Sequence, residues 1–527
     1  MKPLRPLIAA ILVLAAFPSL ALASKTQESM FQDDPMLVYG TAEQMNSTLD
    51  TLQSFGVDRI RVSVFWRVLA PANDQAQKPN FDATDPAQYP AEHWVPYDRL
   101  IQAAQARGIG VNLNITSPVP RWAASESPRA DLQETFGPNP EEFGKFVRAV
   151  GTRYSGTYAG LPRVDYWSIY NEPNQAGWLT PQWSPDPRDA KKQVDAAPMI
   201  YRKLVAAAWQ GLADSAHGSD TILIGETAPQ GTQTDKGLSR SIDALKFLRR
   251  MYCLDDNLNL LKGGDAHLRE CPGDIPTFVA QNPALFHATG YAHHPYALLT
   301  PPGRSSKWQD WVSIADLGRL SHELTRIYQR YGQKMQSRRG VPLYLTEYGY
   351  QTKPDPFVAG VVTFNKQAAW LNQAEYIAYK NPNVQALSQF LLVDDAPDPA
   401  FDPKKSPQLA WRTFQSGLQL LGGRRKDSYK AYITPIFVKQ TRLRRGRSTG
   451  VFGMLRPAQE AANVPVQVQF RPRGAKRWQT RTRVTAGGPE HYFETSLRVL
   501  RSGSVRFLWS NGGRPTASRP VTVTVVR

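Results

Sequence analysis

Cysteine is nearly absent from this chain: of 527 residues, only Cys253 and Cys271 carry a thiol. Their separation of 18 positions, with no C-x-x-C and no second pair, argues against a zinc knuckle. Beyond the N-terminus no apolar run is long enough to cross a bilayer. No G-x-G-x-x-G turn follows an early strand, which argues against a dinucleotide-binding open sheet. The eight histidines form neither H-x-H nor H-E-x-x-H, so no metal site and no cofactor is expected. Acidic residues are scarce in the last fifth: residues 430–527 hold 19 Lys/Arg and 3 Asp/Glu, a balance of +16 against +18 for the whole chain. The body is therefore near neutral, and the break after Gly422-Gly423 marks a domain boundary near residue 425.

What is present is a large apolar content, 41% hydrophobic and 10% aromatic, enough for a barrel-sized domain and a smaller one. Lys2 and Arg5 precede an apolar stretch over residues 7–20, and Ala21-Leu22-Ala23 supplies a small-residue cleavage site. Residues 1–23 thus read as a secretory signal peptide, placing the mature protein outside the cell or in its envelope with no membrane span. In that oxidising setting a Cys253–Cys271 disulfide is the default.

Eight strand-like runs recur along the body, at residues 36–39, 59–65, 109–115, 164–170, 221–225, 288–293, 343–346 and 384–392. Between them lie helix-period segments such as Phe143, Phe146, Val147 and Val150. Strand alternating with helix predicts parallel pairing through right-handed crossovers, here a (β/α)8 barrel over residues 30–425. Residues 430–527 differ: their runs alternate with period two between Gly and Pro turns, as in a small β-sandwich of immunoglobulin or fibronectin type. Its arginine-rich surface would attract an anionic wall polymer or an acidic glycan, or simply keep the protein soluble. No recognition helix or RNA-binding motif points to a specific nucleic acid. Both of the glutamates discussed next lie outside this tail, so its removal is expected to spare turnover of small substrates.

Two segments carry the chemistry. Ile169-Tyr170-Asn171-Glu172-Pro173 and Leu343-Tyr344-Leu345-Thr346-Glu347-Tyr348-Gly349 each end an apolar run on a glutamate at a turn. In a barrel, strand C-terminal ends hold the chemistry, and Arg61, Glu226, His293-His294 and Tyr296 fall near other such ends. A lone strand-end glutamate is more often a cap or an ion-pair partner. Two of them suit acetal cleavage, in which one carboxyl protonates the leaving oxygen and the other captures the oxocarbenium centre. Arg61 and a Tyr296 hydroxyl would lower the pKa of Glu347 and leave the proton on Glu172. Glu226 reads as a partner of His294 and a rim ion pair. Adjacent histidines on a strand point to opposite faces, so at most one of His293 and His294 looks inward. Among aromatic residues near strand ends, Trp66, Trp122, Trp178 and Trp183, the best sugar platforms are Trp178 and Trp183, in the loop after Glu172.

Asn171-Glu172-Pro173 after a fourth strand and Thr346-Glu347-Tyr348-Gly349 after a seventh resemble the signature of glycoside hydrolase clan A, which includes families 5 and 39. The resemblance implies Glu172 as general acid/base with Asn171 beside it, Glu347 as nucleophile, and retention of anomeric configuration. It also implies Tyr296 touching the nucleophile, His294 lining the glycone subsite, and a second-strand arginine orienting Glu347; this is Arg61, with Arg59 and Arg67 as competitors. One departure stands out. Many family 5 members end the eighth strand with a tryptophan, whereas this chain reads Gln389-Phe390-Leu391-Leu392, leaving a family 39-like or unclassified clan member equally open. The expected function is an exported retaining glycoside hydrolase acting on a poly- or oligosaccharide. The alternatives are a transglycosylase using the same site and a non-catalytic glycan- or wall-binding protein.

Overall fold

The computed structural model describes residues 26–232, 236–353, 361–457 and 463–526; the expected signal peptide lies outside them. Eight parallel strands close into a barrel: β1 (Glu28–Gln32), β2 (Arg59–Phe65), β3 (Gly110–Thr116), β4 (Tyr166–Ile169), β5 (Thr221–Thr227), β6 (Gly290–His293), β7 (Leu343–Leu345) and β8 (Val384–Phe390). Consecutive barrel strands are neighbours in space, and β8 returns to β1 with Glu28 opposite Ala386 and Gln32 opposite Phe390. Parallel neighbours require a crossover, which the intervening helices supply.

The first strand is not at residues 36–39. Asp33 caps a short helix, Asp34–Leu37, by accepting from the Met36 N–H, and Pro35 occupies its first turn. That local chemistry claims the apolar run for a helix, and the strand lies earlier.

Side chains alternate along the strands, and Met30, Tyr166, Leu223, Ala292, Tyr344 and Ala386 form an apolar plug inside the barrel. Further toward the strand C-terminal ends stand the buried polar residues Gln32, Arg61, Asn112, Ser168, Thr346 and Ser388. A dry base thus carries a polar mouth, the arrangement that places chemistry at one end of the fold. Around the barrel, helix Pro140–Arg153 packs on helix Ala197–Asp214 backbone to backbone. A Cβ on Gly211 would stand 2.5 Å from the Gly144 carbonyl oxygen, so only glycine permits the approach. Cys253 and Cys271 are joined in a disulfide.

From Ile436 onward the chain forms a mostly antiparallel β-domain, consistent with a β-sandwich, around Val466, Val468, Phe493, Val505 and Phe507. It is firmly docked on the barrel. Phe452, Met454 and Tyr492 cluster with Tyr379 of helix Phe364–Lys380. The buried Arg456 donates to Glu375, to the Ser29 hydroxyl and to the Tyr432 carbonyl, each at 3.0 Å. These contacts weigh against a dispensable tail, because its removal would strip Glu375 of its Arg456 partner and expose this aromatic face. Among the described residues no helix is long and apolar enough to cross a membrane.

Candidate active site

Strand β4 ends in a strained turn. Tyr170 and Glu172 have φ of 70° and 37°, in the left-handed region that side chains other than glycine avoid. The turn is held by the Asn114 amide, which donates to the Tyr170 carbonyl at 2.5 Å, and by the Glu172 N–H, which donates to the Glu226 carbonyl at 2.9 Å. Backbone strain persists only where surroundings enforce it, and it collects at functional sites.

Glu226 reaches the mouth by a different device. Gly225 pairs with Ala292 and Thr227 with His293, so Glu226 is an extra residue in a β-bulge. Gly225 has φ of 104°, and a Cβ there would lie 2.7 Å from the Tyr291 ring. On β6 the two histidines part. His293 points out of the barrel to Thr227 and the Val312 carbonyl, and burial lowers its pKa to about 4. His294 turns inward.

Arg61 gathers these elements. Its fully buried guanidinium donates to Glu347 at 2.9 Å, Asn171 at 2.7 Å, Glu226 at 3.0 Å and Gln32 at 2.5 Å. The competing arginines lie elsewhere: Arg59 sits over the Tyr166 ring and pairs with Glu28, and Arg67 pairs with Asp74 and Glu134. His294 bridges the carboxyls, with Nδ1 2.9 Å from Glu172 and Nε2 2.7 Å from Glu226. The Tyr296 hydroxyl donates to Glu347 at 3.0 Å. The nearest polar atoms of Glu172, His294 and Glu347 lie within 4.8 Å of one another.

The electrostatics follow from this crowding. Burial opposes charge on His294, but Glu347, Glu172 and Glu226 outweigh it and raise its pKa to about 9. Burial opposes charge on Glu226 too, yet Arg61 and His294 hold it down at about 2. For Glu347 burial prevails: its carboxyl is raised, with His294 and Arg61 pulling down and Glu172 and Glu226 pushing up. The lowering expected from Arg61 and Tyr296 is thus outweighed. Charge counting gives the outcome. Arg61 and the imidazolium contribute two positive charges against three carboxyl groups, and burial together with this excess of carboxyls keeps Glu347 raised. Glu172, His294 and Glu347 have the spacing to hold a metal ion, which would have to displace the proton that the surrounding carboxyls favour on His294.

Above the pair opens a cavity of about 380 Å³, lined among others by Asn171, Glu172, Tyr296, Glu347 and Trp178. Trp178 stacks on Phe65 with ring centres 6.3 Å apart. Trp183 does not reach this cavity. It lies in the hairpin Trp183–Asp186 and Asp189–Asp195, donates to the Arg240 carbonyl at 2.7 Å, and is covered by Lys236 and Lys246. Trp66 is core, and Trp122 packs on its edge at 6.0 Å. Sequence reasoning missed Gln32, Asp34, Asp395, Phe390 and Phe414, all of which line the cavity. Asp34 accepts from the Gln32 amide at 3.1 Å and the Ser63 N–H at 3.2 Å, and burial raises its pKa. Phe390 and Phe414 meet edge to face at 5.3 Å where a tryptophan was sought. The Asp394-Asp395 pair after β8 was the signal available for Asp395.

A parallel barrel with paired glutamates after strands four and seven defines the class: a clan A glycoside hydrolase, retaining as that clan is. Residues 23–386 match the model of the Cellulase family (glycosyl hydrolase family 5), and the chain belongs to that family. Among solved structures it is similar to a family 39 glycoside hydrolase from the gut symbiont Bacteroides cellulosilyticus WH2, at 13% identity over 91% of this chain and 80% of that one, TM-score 0.47. It is also similar to a family 1 β-glucosidase from Thermotoga maritima, at 13% identity over 79% of this chain and 97% of that one, TM-score 0.47. A third is GH5_18 from Streptomyces cattleya in complex with GlcNAc, at 14% identity over 78% and 79% of the two chains, TM-score 0.43. No curated protein matches the chain.

Proposed function

We propose that this family 5 member is an exported hydrolase that cleaves the O-glycosidic bond of a carbohydrate chain by double displacement, with Glu347 as nucleophile and Glu172 as acid/base. The observation that carries this reading is the closeness of the two carboxyls across one cavity, within 4.8 Å at their nearest polar atoms. That closeness suits a covalent intermediate, whereas inverting enzymes hold their carboxyls about 6.5–9.5 Å apart.

The mechanism requires a proton on Glu172 and the carboxylate form of Glu347, held by Arg61 and Tyr296. Glu347 attacks the anomeric carbon while Glu172 gives its proton to the departing oxygen. The C–O bond breaks and an ester to Glu347 forms. Arg61 and His294 then lose one of the negative charges they face, and Glu172, now ionised, takes a proton from the water that cleaves the ester. His294, held between Glu172 and Glu226, positions the acid/base throughout.

Export is supported by the N-terminal leader-like segment and by the disulfide. Binding of the basic β-domain to anionic glycans or wall polymers is supported by its charge and by Trp478, which lies beneath the guanidinium groups of Arg471 and Arg506. Digestion of a glycan panel, read by product mass and anomeric configuration, tests the catalytic reading. Products of inverted configuration, or no cleavage of any glycoside, would overturn it.

A further inference from the structure

The catalytic cavity runs into a second one, of about 420 Å³, that the mechanism above leaves unused; Pro229, Gln230, Tyr296 and Leu298 line both. Its outer walls come from the segment after β6. Leu298, Leu299 and Trp308 are 51%, 52% and 40% exposed, large fractions for side chains of this kind, and Trp311 lies 6.1 Å from Trp308. A continuous apolar surface kept in water marks a binding site. Leu298, at the junction of the two cavities, has φ of 52°, a conformation costly for leucine and held there by the loop.

Much of the polar lining of this groove is engaged within the loop itself, with the side chains of Gln230, Arg304 and Ser305 as the exceptions. The Thr300 hydroxyl donates to the Ala297 carbonyl, Ser313 to Asp316, and Ser306 accepts from the Trp308 N–H. Lys307 lies over the Trp308 ring, so its stem adds to the carbon surface. The opposite side of the catalytic cavity is different in kind. There Gln32, Asp34, Ser63, Gln351 and Asp395 present hydrogen-bonding groups suited to a sugar's hydroxyls. Glu172 is anchored from the groove side, by His294 after β6 and by the Glu226 carbonyl on β5.

We propose that this groove is the leaving-group site and that it takes an apolar aglycone, an alkyl or aryl group, in preference to another sugar. The inference rests on the reading of Glu172 and Glu347 as the catalytic pair but replaces the carbohydrate chain by a glycoconjugate, with sugar on one side of the scissile bond and hydrocarbon on the other. A second sugar would leave hydroxyls against Leu298, Leu299, Trp308 and Trp311, with Gln230, Arg304 and Ser305 as the polar side chains open to them, whereas a hydrocarbon covers that apolar face without loss.

Simple n-alkyl glycosides test this, because their leaving groups are nearly equal in acidity and differ only in apolar length. Methyl to hexyl series of glucosides, mannosides and N-acetylglucosaminides, in both anomers, would be assayed with the full chain. For the accepted glycone, kcat/KM should rise about three- to fourfold per methylene until the groove is filled. Trp308→Ala and Leu299→Ser should flatten that slope while leaving methyl glycoside turnover unchanged. A flat wild-type series overturns the proposal, as does a disaccharide outpacing the hexyl glycoside through the same dependence on Trp308. Tryptophan fluorescence with methyl and hexyl thioglycosides reads the groove without turnover. Tighter hexyl binding that Trp308→Ala abolishes upholds the groove even if the assignment of Glu347 falls, and equal binding of the two overturns it.

Discussion

Replacing His294 by glutamine removes a cation enclosed by three carboxyl groups, and its clearest consequence is a change in how stability depends on pH. The imidazole nitrogens lie 2.9 Å from Glu172, 2.7 Å from Glu226 and 3.5 Å from Glu347, and the side chain is inaccessible to water. Burial disfavours the charged ring, the carboxyls more than compensate, and the pKa rises from 6.5 to about 9. The folded protein therefore binds this proton more tightly than the unfolded chain does. The stabilisation is complete below pH 6.5 and is lost as pH climbs through about 9. A rise of that size corresponds to about 3 kcal/mol. Lys426, lowered to about 8, and Glu490, raised to about 8, titrate in the same window. Both remain in the variant, so the difference between the two proteins reports His294 together with the Glu226 and Glu347 carboxyls that its charge holds down. Urea unfolding followed by tryptophan fluorescence should show the wild-type advantage over His294→Gln shrinking by about 3 kcal/mol between about pH 6 and about pH 10. Parallel stability curves would refute the claim that His294 is a buried imidazolium.

Glu347→Gln should fold normally and lose about three or more orders of magnitude in kcat, and a mechanism-based fluorosugar should label Glu347 in the wild type; label on Glu226 would overturn the assignment. Glu172→Ala should be severe for natural substrates and mild for the first step with activated aryl glycosides, and azide should restore turnover with retained configuration. Equal damage for good and poor leaving groups would sink the acid/base role. Arg456→Met should destabilise the protein by about 3–5 kcal/mol, measured by chemical unfolding, because it strands Glu375 in a buried site. Charge reversal of the exposed Arg473, Lys476 and Arg477 should weaken adsorption to acidic polysaccharides without changing small-substrate turnover. Adsorption by the wild type should fall steeply from about 0.05 to about 0.5 M salt, and binding that survives high salt would assign it to aromatic contacts instead.

The barrel is legible in the chain because most of its strands are buried on both faces and read as apolar runs; β2 occupies residues 59–65 as its pattern predicts. The first strand is not, for a physical reason. Glu28, Ser29 and Gln32 look polar, yet they lie on a strand whose partners β2 and β8 are far off in sequence, while the apolar residues 36–39 serve a locally capped helix. Periodicity reports burial and does not say against what. The same limit separates the two tryptophans. Trp178 and Trp183 stand five positions apart, and the hairpin that begins at Trp183 turns the second away from the cavity.

Glu172 and Glu347 are legible because each ends an apolar run at a turn, a purely local signal. Glu226 is harder, since its inward reach depends on a bulge, and a bulge exists only relative to the strand beside it. Gly225 hints at it: glycine inside a strand marks a bulge or a close backbone approach, and here it does both. The eighth strand shows how a missing motif misleads. Its lack of tryptophan left a family 39-like or unclassified clan member equally open, and the family 5 model matches residues 23–386. What stacking on a sugar needs is a flat apolar face, not an indole in particular. Phe414 supplies such a face, with 46% of its surface exposed and its ring braced edge-on by Phe390. It comes from a loop 24 residues beyond the end of β8, as 414 − 390 gives, so the cavity wall beside Phe390 includes a residue that no strand-end motif contains.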